Sequence, residues 1–411
     1  MDPTVSPAPN TFYGLGIAPK LLDLLEKKGF TVPTPIQHQS IPVALEGKDV
    51  MGIAQTGTGK TLAFGIPMLQ IIARTKKKGL IVLPTRELAI QVNESLQVIG
   101  RPFGVRTAVL IGGESMMRQQ RALRSDPHII IVTPGRLIDF LQHKQIRLDN
   151  VGILILDEAD RMLDMGFAPQ LKQILATIPE DRQTMLFSAT MPPEITKIAS
   201  TYMKLPVRVE VAPAGTSAAL VSQEIFFVEK DKKVEQLRKV LTDYAGSTLV
   251  FSRTKFGAKR IAQYVRDMGH TSAEIHSNRS LSQRLEALNG FKVGKYRVLI
   301  ATDIAARGID VSGIELVINY DLPDNPEDYV HRIGRTGRAG QTGHAISFAT
   351  PDQRRDVSII ERLIRKELPM SNMTSLKHLS SRESSAPSRP GSRSRSGGGG
   401  GNRRSFAGRR R

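Results

Sequence analysis

Two stretches carry the residue types that phosphate chemistry needs. At residues 54–61 the chain reads AQTGTGKT, and further on the apolar run VGILIL leads into Asp157, Glu158 and Asp160. Gly57 and Gly59 let backbone N–H groups face a phosphate chain, Lys60 is placed to reach the β and γ phosphates, and the Thr61 hydroxyl is placed to hold Mg²⁺. Asp157 is positioned to hold the same Mg²⁺ through water, and Glu158 to orient and deprotonate an attacking water. Each stretch has a plainer reading by itself: a glycine-rich turn that caps a strand, and an acidic helix start favoured by the helix dipole. Together they form the pair that a nucleoside triphosphatase requires. Ala54 stands where the usual phosphate loop G-x-x-x-x-G-K-[ST] has its first glycine.

Such groups meet only if strands deliver them to one edge of a sheet. DVMGIA runs into AQTGTGKT and then into the helix-like TLAFGIPMLQIIA, the strand–turn–helix order that a phosphate loop needs. GLIVLP, VRTAVLI, HIIIVT, VGILIL and TMLFSAT continue the series, each followed by an amphipathic stretch, which predicts a parallel sheet wound with crossover helices. A second series, QEIFFVE, STLVFS, SAEIHS, RVLIAT, ELVINY and HAISFA, begins beyond a Pro- and Gly-punctuated stretch. The expected organisation is therefore an N-terminal segment over 1–40, an α/β domain over 41–208, a linker over 209–220, a second α/β domain over 221–372 and a tail over 373–411. That tail, rich in Ser, Gly and Arg, buries no apolar surface and is expected to be disordered.

The chain has 411 residues and no cysteine, which excludes a disulfide framework, a Cys-based zinc site and a thiol nucleophile. Its 58 Lys and Arg against 39 Asp and Glu give a net charge of +19, and eight of the arginines lie between Ala386 and Arg411. The rest of the chain stays basic without them, which points to a polyanionic partner. HIIIV and VGILIL are far too short to cross a membrane, and MDPTVSPAPN has neither a basic nor an apolar leader region. The expectation is a cytoplasmic protein without a membrane partner.

Further blocks complete a pattern: PTRELA at 84–89, TPGR at 133–136, DEAD at 157–160, SAT at 188–190, ARGID at 306–310 and HRIGRTGR at 331–338. With every block in order over about residues 10–350, the chain resembles the DEAD-box ATP-dependent RNA helicases of superfamily 2, in look most like bacterial members. Their own phosphate loop begins A-x-T-G-x-G-K-T, which accounts for Ala54. The resemblance implies two tandem RecA-like domains, each a parallel sheet with helices on both faces, with ATP and RNA bound across the cleft. It adds Ala54, Gln55, Thr56 and Thr58 to the nucleotide loop. It also implies that Gln37 hydrogen-bonds the adenine edge and Phe12 packs against the base, with Phe30 as the rival aromatic. Asp310 would contact the ribose. Arg335 and Arg338 match the arginine-finger positions, so hydrolysis should await closure of the second domain onto the first.

For RNA, the resemblance implies backbone contacts from Thr85, Arg86, Gly113, Thr133 and Arg136 in the first domain and Thr302 in the second, hence low sequence specificity. Ser188 and Thr190, with Asp160 and His331, would couple the nucleotide state to RNA. One position departs: many members carry Gln three residues before the arginine in SLSQRLEAL, and this chain has Leu281 ahead of Arg284. The arginine-rich tail resembles segments that hold RNA non-specifically. The expected molecule is a monomeric RNA-dependent ATPase that unwinds short duplexes, with ribosomal or RNA-decay assemblies as candidate partners. An ATP-gated RNA clamp that does not separate strands, and a DNA-acting relative, stay open at this point.

Overall fold

The computed structural model describes residues 11–55, 57–211, 221–303, 311, 313–337 and 342–371. Among the expected site residues, Thr56, Asp310 and Arg338 lie outside the described residues, as does the tail over 373–411.

In the first half the apolar runs form β1 (Val50–Ile53), β2 (Lys78–Val82), β3 (Thr107–Leu110), β4 (Ile129–Val132), β5 (Val151–Leu156), β6 (Gln183–Ser188) and β7 (Val207–Glu210). They make one parallel sheet in the order β3-β4-β2-β5-β6-β1-β7. In the second half β8 (Val221–Phe227), β9 (Thr248–Phe251), β10 (Ser272–Ile275), β11 (Val298–Ala301), β12 (Leu316–Asn319) and β13 (Gly343–Ala349) form a second parallel sheet, ordered β10-β11-β9-β12-β13-β8.

Strands this apolar are stable only when both faces are covered. Alternate residues point to opposite faces, so Ile81, Ile131, Ile155 and Phe187 enter one apolar cluster while Leu80, Val132, Leu154 and Leu186 enter another. The second sheet divides likewise, Leu249, Leu299 and Val317 to one side and Val250, Ile300 and Ile318 to the other. The two RecA-like domains are thus each a parallel sheet between two helical layers. The helices Pro19–Lys27 and Pro35–Leu45 belong to the first domain, because Leu21, Leu25, Ile36 and Ile41 join the cluster of Phe64 and Phe187. Gly52 on β1 makes room for that packing: a Cβ there would stand 2.5 Å from the Phe187 ring.

One strand was not foreseen from the sequence. β7 lies in the Pro- and Gly-punctuated stretch, and it pairs with β1 as the sheet's edge, Val50 opposite Val207 and Ile53 opposite Glu210. The two domains touch: the helix Leu281–Lys292 packs against the helix Arg86–Gly100. Among the described residues no helix is long and apolar enough to cross a membrane.

Candidate active site

The phosphate loop leaves β1 with both glycines in the left-handed region, Gly57 at φ +85° and Gly59 at φ +89°. Only glycine enters that region cheaply, and at Gly59 there is a second reason: a Cβ would collide with the Gln37 amide. Gln37 is built into the loop, donating Nε2–H to the Gly59 carbonyl at 3.0 Å while its Oε1 accepts from Thr34 N–H at 2.9 Å. Thr58 donates its hydroxyl to the Gln55 carbonyl at 2.7 Å, and Ala54 N–H donates to the Ser188 carbonyl at 3.0 Å. The helix Lys60–Thr75 then starts with its first amides at the loop.

Lys60 is buried, and its Nζ has no hydrogen-bond partner among the described residues. Its nearest counter-charge is Asp157 Oδ1 at 3.7 Å. A buried ammonium with unused donors calls for an anion. Gly57, Gly59, Lys60, Thr61, Asp157 and Glu158 share with Phe30 a cavity of about 330 Å³, so phosphate oxygens fit the donor set. Thr61 and Asp157 offer one hydroxyl and one carboxylate, a set that suits Mg²⁺ completed by phosphate and water. Phe30 is the aromatic at this cavity, 37 % exposed; Phe12 is packed in the first domain's core.

Asp157 follows the end of β5, and burial, with Glu158 beside it, pushes its carboxyl up to about 6 against the pull of Lys60. Glu158 takes the left-handed conformation, φ +53°, and forms an ion pair with Arg161, both side chains nearly covered. Arg161 was not singled out in the sequence, although a spacing of three on a helix start is a legible pairing signal.

Asp160 ties the acidic turn to β6. Its Oδ2 accepts from Ala189 N–H at 3.1 Å, Thr190 N–H at 2.8 Å and the Thr190 hydroxyl at 2.9 Å. Its own N–H donates to Ser188 Oγ at 3.2 Å. Ser188, Thr190 and Asp160 are therefore one hydrogen-bonded unit that joins the acidic turn to the end of β6.

The second domain reaches this turn. His331 is half-buried, and its imidazole is held below the usual histidine value by burial and then by Arg161, with Asp160, Arg335 and Glu158 also facing it. Arg335 is buried, donates Nε–H to the His331 carbonyl at 3.2 Å, and shares a crevice with Arg161. Its neighbour Arg332 does something else: it grips Asp303 at 2.6 and 2.7 Å, bonds Asn319 and Asp321, and lies over Phe251, all within the second domain. Gln55 of the first domain stands close to Gly334.

The remaining residues follow β2, β3 and β4, adjacent at one side of the first sheet. Thr85 caps the helix Arg86–Gly100, accepting from Leu88 N–H at 3.3 Å. Gly113, at φ +76°, lies against the Arg86 guanidinium, where a Cβ would collide. Thr133 precedes the helix Pro134–Gln142. Arg136 donates to the Glu114 carbonyl at 3.1 Å and to Gln119 Oε1 at 3.2 Å, and Gln119 is itself pinned to Ile111; Gln119 carries no sequence signal. Thr302 follows β11 in the second domain, bonded through its N–H to Ile275. The first sheet thus presents two regions on its carboxyl edge: phosphate loop, acids and SAT after β1, β5 and β6, and hydroxyls and arginines after β2, β3 and β4.

The model of the DEAD/DEAH box helicase family matches residues 34–198, and that of the helicase conserved C-terminal domain matches 232–340. The chain is 44 % identical over 361 residues to the DEAD-box ATP-dependent RNA helicase CshA of Bacillus cereus, covering 87 % of this chain and 69 % of that one. It is 43 % identical over 373 residues to the ATP-dependent rRNA helicase RRP3 of Debaryomyces hansenii, covering 90 % and 78 %. Among solved structures, S. cerevisiae Dbp5 bound to RNA and ADP BeF3 superposes with a TM-score of 0.81 at 29 % identity, over 90 % of this chain and 97 % of that one. On these grounds, with the phosphate loop, the acidic turn and the second-domain arginine in place, the chain belongs to the DEAD-box family of ATP-dependent RNA helicases.

Proposed function

We propose that this helicase hydrolyses ATP in response to RNA, and that hydrolysis is coupled to local unwinding of short RNA duplexes. The observation that carries this reading is the seam, where His331 and Arg335 of the second domain stand beside Glu158, Asp160 and Arg161 of the first. Gly57, Gly59 and the start of the helix Lys60–Thr75 hold the phosphates with Ala54, Gln55, Thr56 and Thr58, and Lys60 supplies the charge its orphaned ammonium has to offer. Thr61 and Asp157 would hold Mg²⁺, which supplies charge neutralisation on the phosphate oxygens. Glu158, oriented by Arg161, accepts the proton of the attacking water. Arg335, with Arg338, stabilises charge on the transferring phosphoryl group, a contribution of ~10³ to 10⁵ in rate when such an arginine is in place.

Gln37 reads the adenine from its place under the loop, and Asp310 takes the ribose. Phe30, which lines the cavity, rather than the core residue Phe12, meets the base. Thr85, Arg86, Gly113, Thr133 and Arg136 hold one stretch of RNA backbone and Thr302 another, so the strand is gripped only when the domains close. The unit formed by Asp160, Ser188 and Thr190 relays closure to the acids. The same reading takes the chain as a cytoplasmic monomer. Ribosomal assemblies are candidate sites of action, because one similar protein is named for ribosomal RNA.

Strand separation is the test. A short RNA duplex with a fluorophore and quencher on opposite strands should open with ATP and stay closed with Glu158→Gln. A duplex that binds in the presence of ATP yet never opens would replace this reading with an ATP-gated clamp.

A further inference from the structure

Leu281 is the first residue of a second-domain helix, is 6 % exposed, and belongs to none of the second domain's apolar clusters. It belongs to the first domain's cluster, together with Leu88 and Val92 of the helix Arg86–Gly100, and Leu285, one turn on, packs at that cluster's border. Beside them Arg284 Nη2 stands 2.8 Å from Glu87 Oε1, both side chains largely covered. An apolar residue whose cover comes from the other domain is exposed whenever the domains part.

We propose that Leu281 is a positioning residue for the helicase reaction: an apolar clasp that holds the second domain on the first and so sets Arg335 and His331 against Glu158 and Asp160. This rests on the RNA-driven closure proposed above. The Arg284–Glu87 pair, being largely covered, is weakened only in part as salt rises, and removal of leucine from water is not weakened by salt. Burying one leucine shifts an open–closed equilibrium by roughly tenfold to a hundredfold. Glutamine, frequent at this position in the resemblance, would instead have to bury an amide or find it a partner.

The test uses the full chain, whose lack of cysteine lets a donor–acceptor pair be placed at Ser200→Cys and Val293→Cys, both exposed and on different domains. Closure is followed with AMP-PNP while poly(U) is titrated, and ATP turnover is measured in parallel. Leu281→Gln should raise the poly(U) concentration for half-closure by about tenfold or more, at low and high salt alike. Its kcat at saturating RNA should stay within about twofold of the parent, the signature of a lost closing contact rather than a damaged site. Glu87→Gln should weaken closure most at low salt and by less at high salt. Leu281→Met, which keeps the apolar volume, should behave as the parent, and Leu285→Ala should shift half-closure in the same direction by less. An unchanged half-closing concentration in Leu281→Gln would overturn the clasp, as would a lowered kcat with an unchanged RNA requirement. If turnover proves independent of RNA while Leu281→Gln still shifts half-closure, the clasp stands and the proposed coupling fails.

Discussion

At the scale of single residues, the site is organised by groups whose bonds are already spent and one whose bonds are not. Asp160 satisfies two main-chain N–H groups and a hydroxyl at the end of β6. Asp160→Ala should therefore lower stability by ~1–3 kcal/mol, measured as a lower urea midpoint with unchanged slope. Ser188→Ala, which removes a single acceptor, should cost less, and equal losses would mean that the unit is not held as described. Lys60 is the opposite case, a buried ammonium without a hydrogen bond among the described residues. Nucleotide at about a hundredfold above its Kd should stabilise the parent chain by ~2.7 kcal/mol, and Lys60→Met should abolish that shift in melting temperature. The spacing of glycines, lysine and acids made these residues legible in the sequence, because a phosphate loop is local. The Arg284–Glu87 pair was not, since an arginine and an acid so far apart in the chain become a pair only through the domain contact that brings them together.

At the scale of elements, the helix Pro326–Ile333 carries His331 into the seam. Burial and Arg161 hold its imidazole below the ordinary value of 6.5, so contact with the first domain disfavours the protonated ring. A depressed histidine contributes fully above the ordinary range and loses that contribution as pH falls through it, because the open form takes the proton first. The closed fraction with AMP-PNP and RNA should decline from about pH 7.5 to about pH 5.5, and His331→Gln should flatten the decline. A profile identical to the parent's would remove His331 from the closing contact. Strands such as β4 and β5 were legible because they are continuous apolar runs buried on both faces. β7 was not: Val207, Arg208, Val209 and Glu210 make a short alternating stretch between Pro206 and a Pro-Gly segment, and its strand character comes from pairing with β1.

At the scale of the whole molecule, two sheets present their carboxyl edges to one seam, and neither domain alone has a complete set of groups. Two α/β domains follow from the sequence pattern, and the resemblance adds that they close on each other; the side chains that touch on closure come from distant segments and no local pattern reveals them. Beyond the described residues, eight arginines between Ala386 and Arg411 should add RNA affinity without sequence preference. Removing residues 386–411 should make log K less steep against log salt by roughly 0.7 per arginine engaged, while leaving kcat at saturating RNA unchanged. The most direct measurement is ATP turnover by the intact chain with and without single-stranded RNA. RNA should raise turnover by at least about tenfold, and Arg335→Ala should remove ~10³ or more of the stimulated rate. Equal turnover in the two conditions would contradict hydrolysis gated by closure of the seam.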